Sequence, residues 1–144
     1  MDCLINIDVA DLEEAIAFYE QGIGLRLARR LFDGTVAEML GTSSAVYLTL
    51  KAEGTSPSPG TSQVRHYQRH WTPVHLDFVV DDLDDAVEIA LAAGATLEAA
   101  PASFVWGRLA AMSDPFGNGL CFIEWLGRGY GEVNHGRRTE GATD

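Results

Sequence analysis

The chain has 144 residues, 47% of them apolar, and a formal net charge of −11 from 10 basic and 21 acidic side chains. That length supports one domain, or two half-size modules sharing a core. The negative balance argues against nucleic acid, whose phosphates are met by Lys and Arg, and no apolar run approaches the roughly 18 residues of a membrane span.

Residues 3–9 alternate, with Cys3, Ile5, Ile7 and Val9 on one face and Leu4, Asn6 and Asp8 on the other, which predicts a strand. Asp11 is placed to cap a helix, with Glu14 three residues on, and Ala15, Ile16, Phe18 and Tyr19 supply its apolar stripe. Gly22 is the expected stop. Residues 25–31, 35–40 and 45–51 read as three more strands, joined by a hairpin at Asp33-Gly34 and a looser turn over 41–44. Residues 53–71 begin with a Pro/Gly/Ser-rich linker and end in the basic, aromatic run Arg65 to Trp71, a segment able to fold over a cavity mouth as a lid. A second strand–helix pair follows at 74–80 and 82–93, closed by Gly94. Strands at about 96–100 and 104–112, a turn over Asp114–Gly119 and a final strand from Leu120 to Trp125 complete the series. Residues 127–144 are polar and glycine-rich and read as a mobile tail.

This order of elements is a repeat. Ile7-Asp-Val-Ala-Asp-Leu-Glu-Glu-Ala-Ile16 returns 71 positions on as Phe78-Val-Val-Asp-Asp-Leu-Asp-Asp-Ala-Val87. The expected fold class is therefore α+β, with a βαβββ module over 1–52, the linker over 53–71, a second module over 72–126 and the tail over 127–144. Where the second copy opens with His75, the first opens with Leu4, so a pseudo-symmetric cavity would carry a ligand-capable group on one side only.

Several residues stand out on these elements. His75 reads either as a cavity imidazole, acting as base, donor or lone ligand, or as a core histidine satisfied by a neighbour. Asn6, Asp8 and Asp77 lie on strand faces expected to line the cavity. Unpaired burial costs about 1–3 kcal/mol per polar group, so they suggest a polar pocket, although a solvated strand end gives the same pattern. His66 and His70 have the i, i+4 spacing of a helical metal pair, but with no accompanying carboxylate motif they read as loop histidines. Phe104, Trp106, Phe116 and Trp125 would line an aromatic cavity suited to a planar or cationic ligand, or pack a core. Arg108 can meet a ligand carboxylate or lie on a solvated strand. Cys3 and Cys121 are too few for a disulfide framework and read as reduced, buried residues. With Asp2 directly after Met1 and no basic-then-apolar leader, the expected location is the cytoplasm.

Three stretches together resemble the vicinal oxygen chelate superfamily, which includes glyoxalase I, extradiol dioxygenases and bleomycin- and fosfomycin-resistance proteins. They are Val9-Ala10-Asp11-Leu12 with Ala17-Phe18-Tyr19 and Gly24-Leu25; His75-Leu-Asp-Phe-Val-Val-Asp-Asp-Leu83 with Gly94-Ala95; and Asp114-Pro115-Phe116-Gly117-Asn118 entering the last strand. The resemblance implies that each module's sheet curls around a cavity. It also implies that metal-using members hold a divalent ion with residues of both modules, at positions that fall here on Leu4, Tyr47, His75 and Cys121. Leu has no lone pair and Tyr is an uncommon ligand, which leaves a Cys–His pair and no third family-type donor. The expectation is accordingly a glyoxalase/bleomycin-resistance-like protein binding a small molecule, without the full metal site and with no cofactor, a divalent metal being disfavoured. Its ligand would meet Asn6, Asp8, Tyr47, Asp77, Trp106, Arg108 and Cys121, with His75 in any catalytic role. The bleomycin-resistance branch implies a homodimer. The alternative is a lyase, isomerase or dioxygenase of the glyoxalase type, with or without metal.

Overall fold

The computed structural model describes residues 1–136. Each half of the repeat folds as a βαβββ module, giving an α+β architecture of two four-stranded sheets. Module 1 comprises β1 (Ile5–Val9), α1 (Leu12–Phe18), β2 (Arg26–Leu31), β3 (Val36–Leu40) and β4 (Val46–Leu50), in spatial order β1-β4-β3-β2. Module 2 comprises β5 (Leu76–Val79), α2 (Leu83–Ala92), β6 (Thr96–Phe104), β7 (Gly107–Ser113) and β8 (Gly119–Trp125), in the matching order β5-β8-β7-β6. The first strand of each module runs parallel to the last, and the other pairings are antiparallel.

The repeated acidic pair has a structural cause. Asp11 accepts the Glu14 N–H at 3.0 Å and Asp82 accepts the Asp85 N–H at 3.0 Å, so both helices start on the same N-cap. One face of each sheet then buries Val9, Leu48, Met39, Phe78, Met112 and Phe122 against the helices in a shared core. Tyr19 fastens the modules to each other: its buried hydroxyl donates to Asp114 Oδ2 at 2.7 Å. Asp114 also accepts the N–H groups of Phe116 and Asn118 and the Asn118 side-chain amide, so this buried carboxylate is fully satisfied.

Several sequence expectations shift. The first helix does not stop at Gly22 but widens into a π-turn over Tyr19–Ile23 and ends at Gly24, which has φ +90°. Gly22 is a close-approach residue instead: a Cβ there would lie 3.0 Å from the Cβ of Ala93 on the other module. The first hairpin is centred on Asp33-Gly34 as expected, but its loop is the four residues Phe32–Thr35 between paired Leu31 and Val36, with Phe32 and Asp33 both left-handed (φ 52° and 53°). Strand β6 is longer than expected and takes in Phe104, with irregular pairing on either side of Ala99; Pro101 is tolerated there because β6 is an edge strand. Cys3 is exposed rather than buried. Part of the expected tail is ordered, since Gly129–Val133 form a 3-10 turn and Tyr130 packs on Trp125 with ring centroids 4.6 Å apart. The remainder of that expectation, residues 137–144, lies outside the described residues.

No regular element interrupts residues 51–75. The segment is nonetheless held at both modules, by Arg65 Nε donating to Asp8 at 2.7 Å and by Arg69 Nε donating to Glu98 at 2.6 Å. Between them Tyr67 Oη donates to the Lys51 carbonyl at 2.6 Å and its ring meets Phe116 edge-on. The expected lid is thus a strap fastened across the seam.

Candidate functional site

In-register neighbours of a sheet share a face. On module 1, the face turned away from α1 carries one polar row, Asn6–Tyr47–Glu38–Arg29, with one residue from each strand. Arg29 grips Glu38 with two bonds of 2.9 and 3.0 Å, and Tyr47 Oη donates to the same carboxylate at 2.9 Å. Glu38 is 8% exposed. The hydrogen bonds from Arg29 and then Tyr47 hold its carboxyl below the ordinary range. Sequence reasoning placed Tyr47 on a cavity wall but missed Glu38 and Arg29.

The corresponding row on module 2 is Asp77–Cys121–Ala111–Ala99. Three of its four side chains are small where module 1 has Tyr, Glu and Arg, so this face is open. His75 immediately precedes β5, Asp77 lies on it, and His75 Nε2 sits 3.1 Å from Asp77 Oδ1. One donor atom each of His75, Asp77 and Cys121 lie within 4.8 Å of one another. Burial, followed by the negative charge of Asp77, pushes the Cys121 thiol up to about 11, so it is protonated at neutral pH.

A cleft of about 560 Å³ opens between the two edge strands β1 and β5. Its walls include Asn6, Asp8, Tyr19, Leu76, Phe116 and Asn118, and the strap contributes Arg65, His66, Tyr67 and His70. Asp8 is neutralised there by Arg65. The His66 and His70 rings lie 4.8 Å apart, and His70 Nδ1 is 2.9 Å from the Gln68 carbonyl.

The predicted site residues therefore separate into groups. Asn6 and Asp8 line the cleft; His75, Asp77 and Cys121 gather on the open face of module 2; Tyr47 is engaged by Glu38. Trp106 stacks on Phe104 at 5.1 Å and joins Trp125 and Tyr130 in an aromatic cluster outside the cleft. Arg108 faces α2, where Asp84 takes two bonds of 2.9 and 3.1 Å and Glu124 lies 3.6 Å away.

The four positions that the resemblance assigns to a metal are Leu4, Tyr47, His75 and Cys121. Leu4 has no donor atom and the Tyr47 hydroxyl is committed to Glu38. The expected lone Cys–His pair is corrected as well, because Asp77 brings a third donor to it.

A glyoxalase-like domain model matches residues 4–123. None of the curated proteins matches the chain. Among solved structures, a glyoxalase family protein from Bacillus cereus is 24% identical over 88% of this chain and 94% of its own, with a TM-score of 0.67. A glyoxalase/bleomycin resistance protein/dioxygenase family enzyme from Burkholderia phytofirmans is 21% identical over 85% of this chain and 97% of its own, with a TM-score of 0.64. TnmS3, an antibiotic binding protein from Streptomyces, is 21% identical over 88% and 96%, with a TM-score of 0.60. At these identities the likeness is one of fold.

Proposed function

The chain belongs to the glyoxalase-like domain family of the vicinal oxygen chelate superfamily, and from that premise we propose that it is a small-molecule binding protein whose ligand occupies the cleft between β1 and β5. The observation that carries this reading is the cleft itself. At about 560 Å³ it has the size of a drug-like ligand site, with the Tyr67 ring on one wall and polar groups in Asn6 and Asn118. The Tyr67 ring suits a planar ligand and the side-chain amides orient its polar edge. The fold likeness to an antibiotic binding protein supports the same class. The chain would act in the cytoplasm as a homodimer, for which the exposed Phe104, Val105 and Trp125 offer an apolar surface.

A second reading rests on one contact. His75 held by Asp77 at 3.1 Å is arranged as a general base with an orienting carboxylate, which supports a metal-free lyase or isomerase of the glyoxalase type.

Two variants separate the readings. A panel of planar aromatic amides is screened by equilibrium dialysis against the native protein, Asn6→Leu and His75→Leu. Binding in the cleft predicts at least a tenfold loss, about 1.4 kcal/mol, in Asn6→Leu and little change in His75→Leu. Full affinity in Asn6→Leu with loss in His75→Leu rejects the cleft and favours the module 2 face.

A further inference from the structure

We propose that the cleft selects an uncharged, planar heteroaromatic amine, and that His70 sets this preference by presenting Nε2 to the ligand as a fixed hydrogen-bond acceptor. The proposal rests on the cleft reading above and adds the class of ligand and the residue that discriminates it.

The assignment begins with one contact. His70 Nδ1 lies 2.9 Å from the Gln68 carbonyl. A carbonyl oxygen only accepts, so the ring proton sits on Nδ1 and the lone pair of the neutral imidazole on Nε2. Both partners are held in place. The Gln68 carbonyl packs so closely on Gly117 that a Cβ there would collide with it. The His70 carbonyl accepts a bond from Arg69, whose guanidinium is gripped by Glu98. His70 is half-buried and lines the cleft, so what it offers a ligand there is a lone pair rather than a proton.

Other polar groups of the cleft have also spent their protons. Tyr67 Oη donates to the Lys51 carbonyl at 2.6 Å and Thr72 Oγ1 to the Val74 carbonyl at 2.7 Å, and each keeps its oxygen lone pairs. The Asn118 side-chain amide donates to Asp114 at 2.9 Å, which leaves its carbonyl oxygen free. The amide of Asn6 can turn either end to a ligand. An anionic ligand is opposed. Arg65 is the one Arg or Lys lining the cleft among the described residues, and Asp8 matches its charge at 2.7 Å. The net charge of −11 acts in the same direction.

A wall rich in lone pairs selects a ligand that donates. A ring amino group donates without adding a competing acceptor, because its nitrogen lone pair is delocalised into the ring, whereas a carboxylate brings acceptors alone. The heteroaromatic ring has Tyr67 to lie against. A ligand of the same shape without N–H leaves the acceptors desolvated and unpaired, and that cost appears as lost affinity.

The test is equilibrium dialysis at about pH 8, where imidazole is neutral, with 2-aminopurine as probe. The comparator is 9-methyl-2-(dimethylamino)purine, the same ring without N–H. The native protein should bind 2-aminopurine roughly tenfold more tightly than the comparator. In His70→Phe, which keeps a flat ring and removes the acceptor, that ratio should collapse towards equality. In His70→Gln, whose side-chain carbonyl replaces the lone pair, it should be partly restored. A merely structural loss weakens both probes alike and leaves the ratio unmoved. Long-range proton–nitrogen NMR of the native protein should show the His70 ring protonated on Nδ1, and this spectrum and the native ratio decide even where His70→Phe fails to fold. Absence of 2-aminopurine binding overturns the proposal, as do equal binding of the two purines, a ratio unchanged in His70→Phe, tighter binding of the planar carboxylate 2-naphthoate, or a ring proton on Nε2. Asn6→Leu separates this failure from that of the cleft reading. Equal binding of the two purines that weakens in Asn6→Leu rejects the ligand class alone, and binding untouched by Asn6→Leu rejects the cleft as well.

Discussion

At the scale of single residues, the polar positions on exposed strand faces were legible and their partners were not. Alternation alone marks Asn6, Asp8 and Asp77 as polar intrusions. Glu38 sits inside the apolar run Val36–Leu40, where one charge looks incidental, and its partners come from two other strands whose register no local pattern contains. Asp77 was visible as a cavity residue, yet its role beside Cys121 depends on the pairing of β5 with β8. Glu38 also sets a pH dependence. Its folded pKa lies below the ordinary carboxylate value because Arg29 and Tyr47 favour the ionised form. That contribution to stability is present above the ordinary carboxylate range and disappears as pH falls through the lowered folded value. Arg29→Ala should therefore be less stable than the native protein in urea at neutral pH, and the difference should shrink as the medium is acidified below about pH 4. A difference that stays constant across that range would mean that Arg29 acts through packing of its stem rather than through Glu38.

At the scale of elements, types and order follow from periodicity and caps, because the two Asp caps and the strand alternation are local signals. The ends followed less well. Gly22 looks like a stop signal, and only the contact with α2 reveals that its missing side chain makes room for Ala93 and Phe18. The π-turn past Phe18 sets the buried Tyr19 where it reaches Asp114, a partner 95 residues away that no helical pattern predicts. Gly22→Ala places a methyl group 3.0 Å from the Ala93 methyl and 3.2 Å from the Phe18 ring. The expected cost is about 1–3 kcal/mol of overpacking, read as a lower urea midpoint. Gly24→Ala tests the opposite case: nothing lies within 4 Å, but φ +90° is strained for any residue with a Cβ. If Gly22→Ala is neutral, the helices have room to separate and Gly22 is not the contact that sets their spacing.

At the scale of the whole molecule, the repeat makes two similar frames and the side chains make them different. Module 1 closes its outer face with the Arg29–Glu38–Tyr47 network, while module 2 leaves the equivalent face small and open around Cys121. Between the frames runs the strap, whose composition reads as a loop and whose fastening is entirely non-local. The turn at Asp114–Asn118 supports it from below. Gly117 has φ +84°, and a Cβ there would collide with the backbone carbonyl of Gln68, which cannot yield as a flexible side chain would. Gly117→Ala should lift the strap off module 2 and weaken the Arg69–Glu98 pair. The exposed pair itself contributes less than about 1 kcal/mol, so the melting temperature should report mainly the strained φ. The sensitive readout is local opening. Trypsin cleaves after Arg65 and Arg69, and cleavage of the native protein should be slow because both guanidinium groups are engaged and the backbone between them is packed down. In Gly117→Ala cleavage at these two sites should accelerate several-fold while the module cores stay resistant. Ligand affinity in the cleft should fall with it, since His66, Tyr67 and His70 line that wall from the strap. Equal cleavage rates in the two proteins would show that Arg65 and Arg69 hold the strap without the turn, and the cleft wall would then be set by the ion pairs alone.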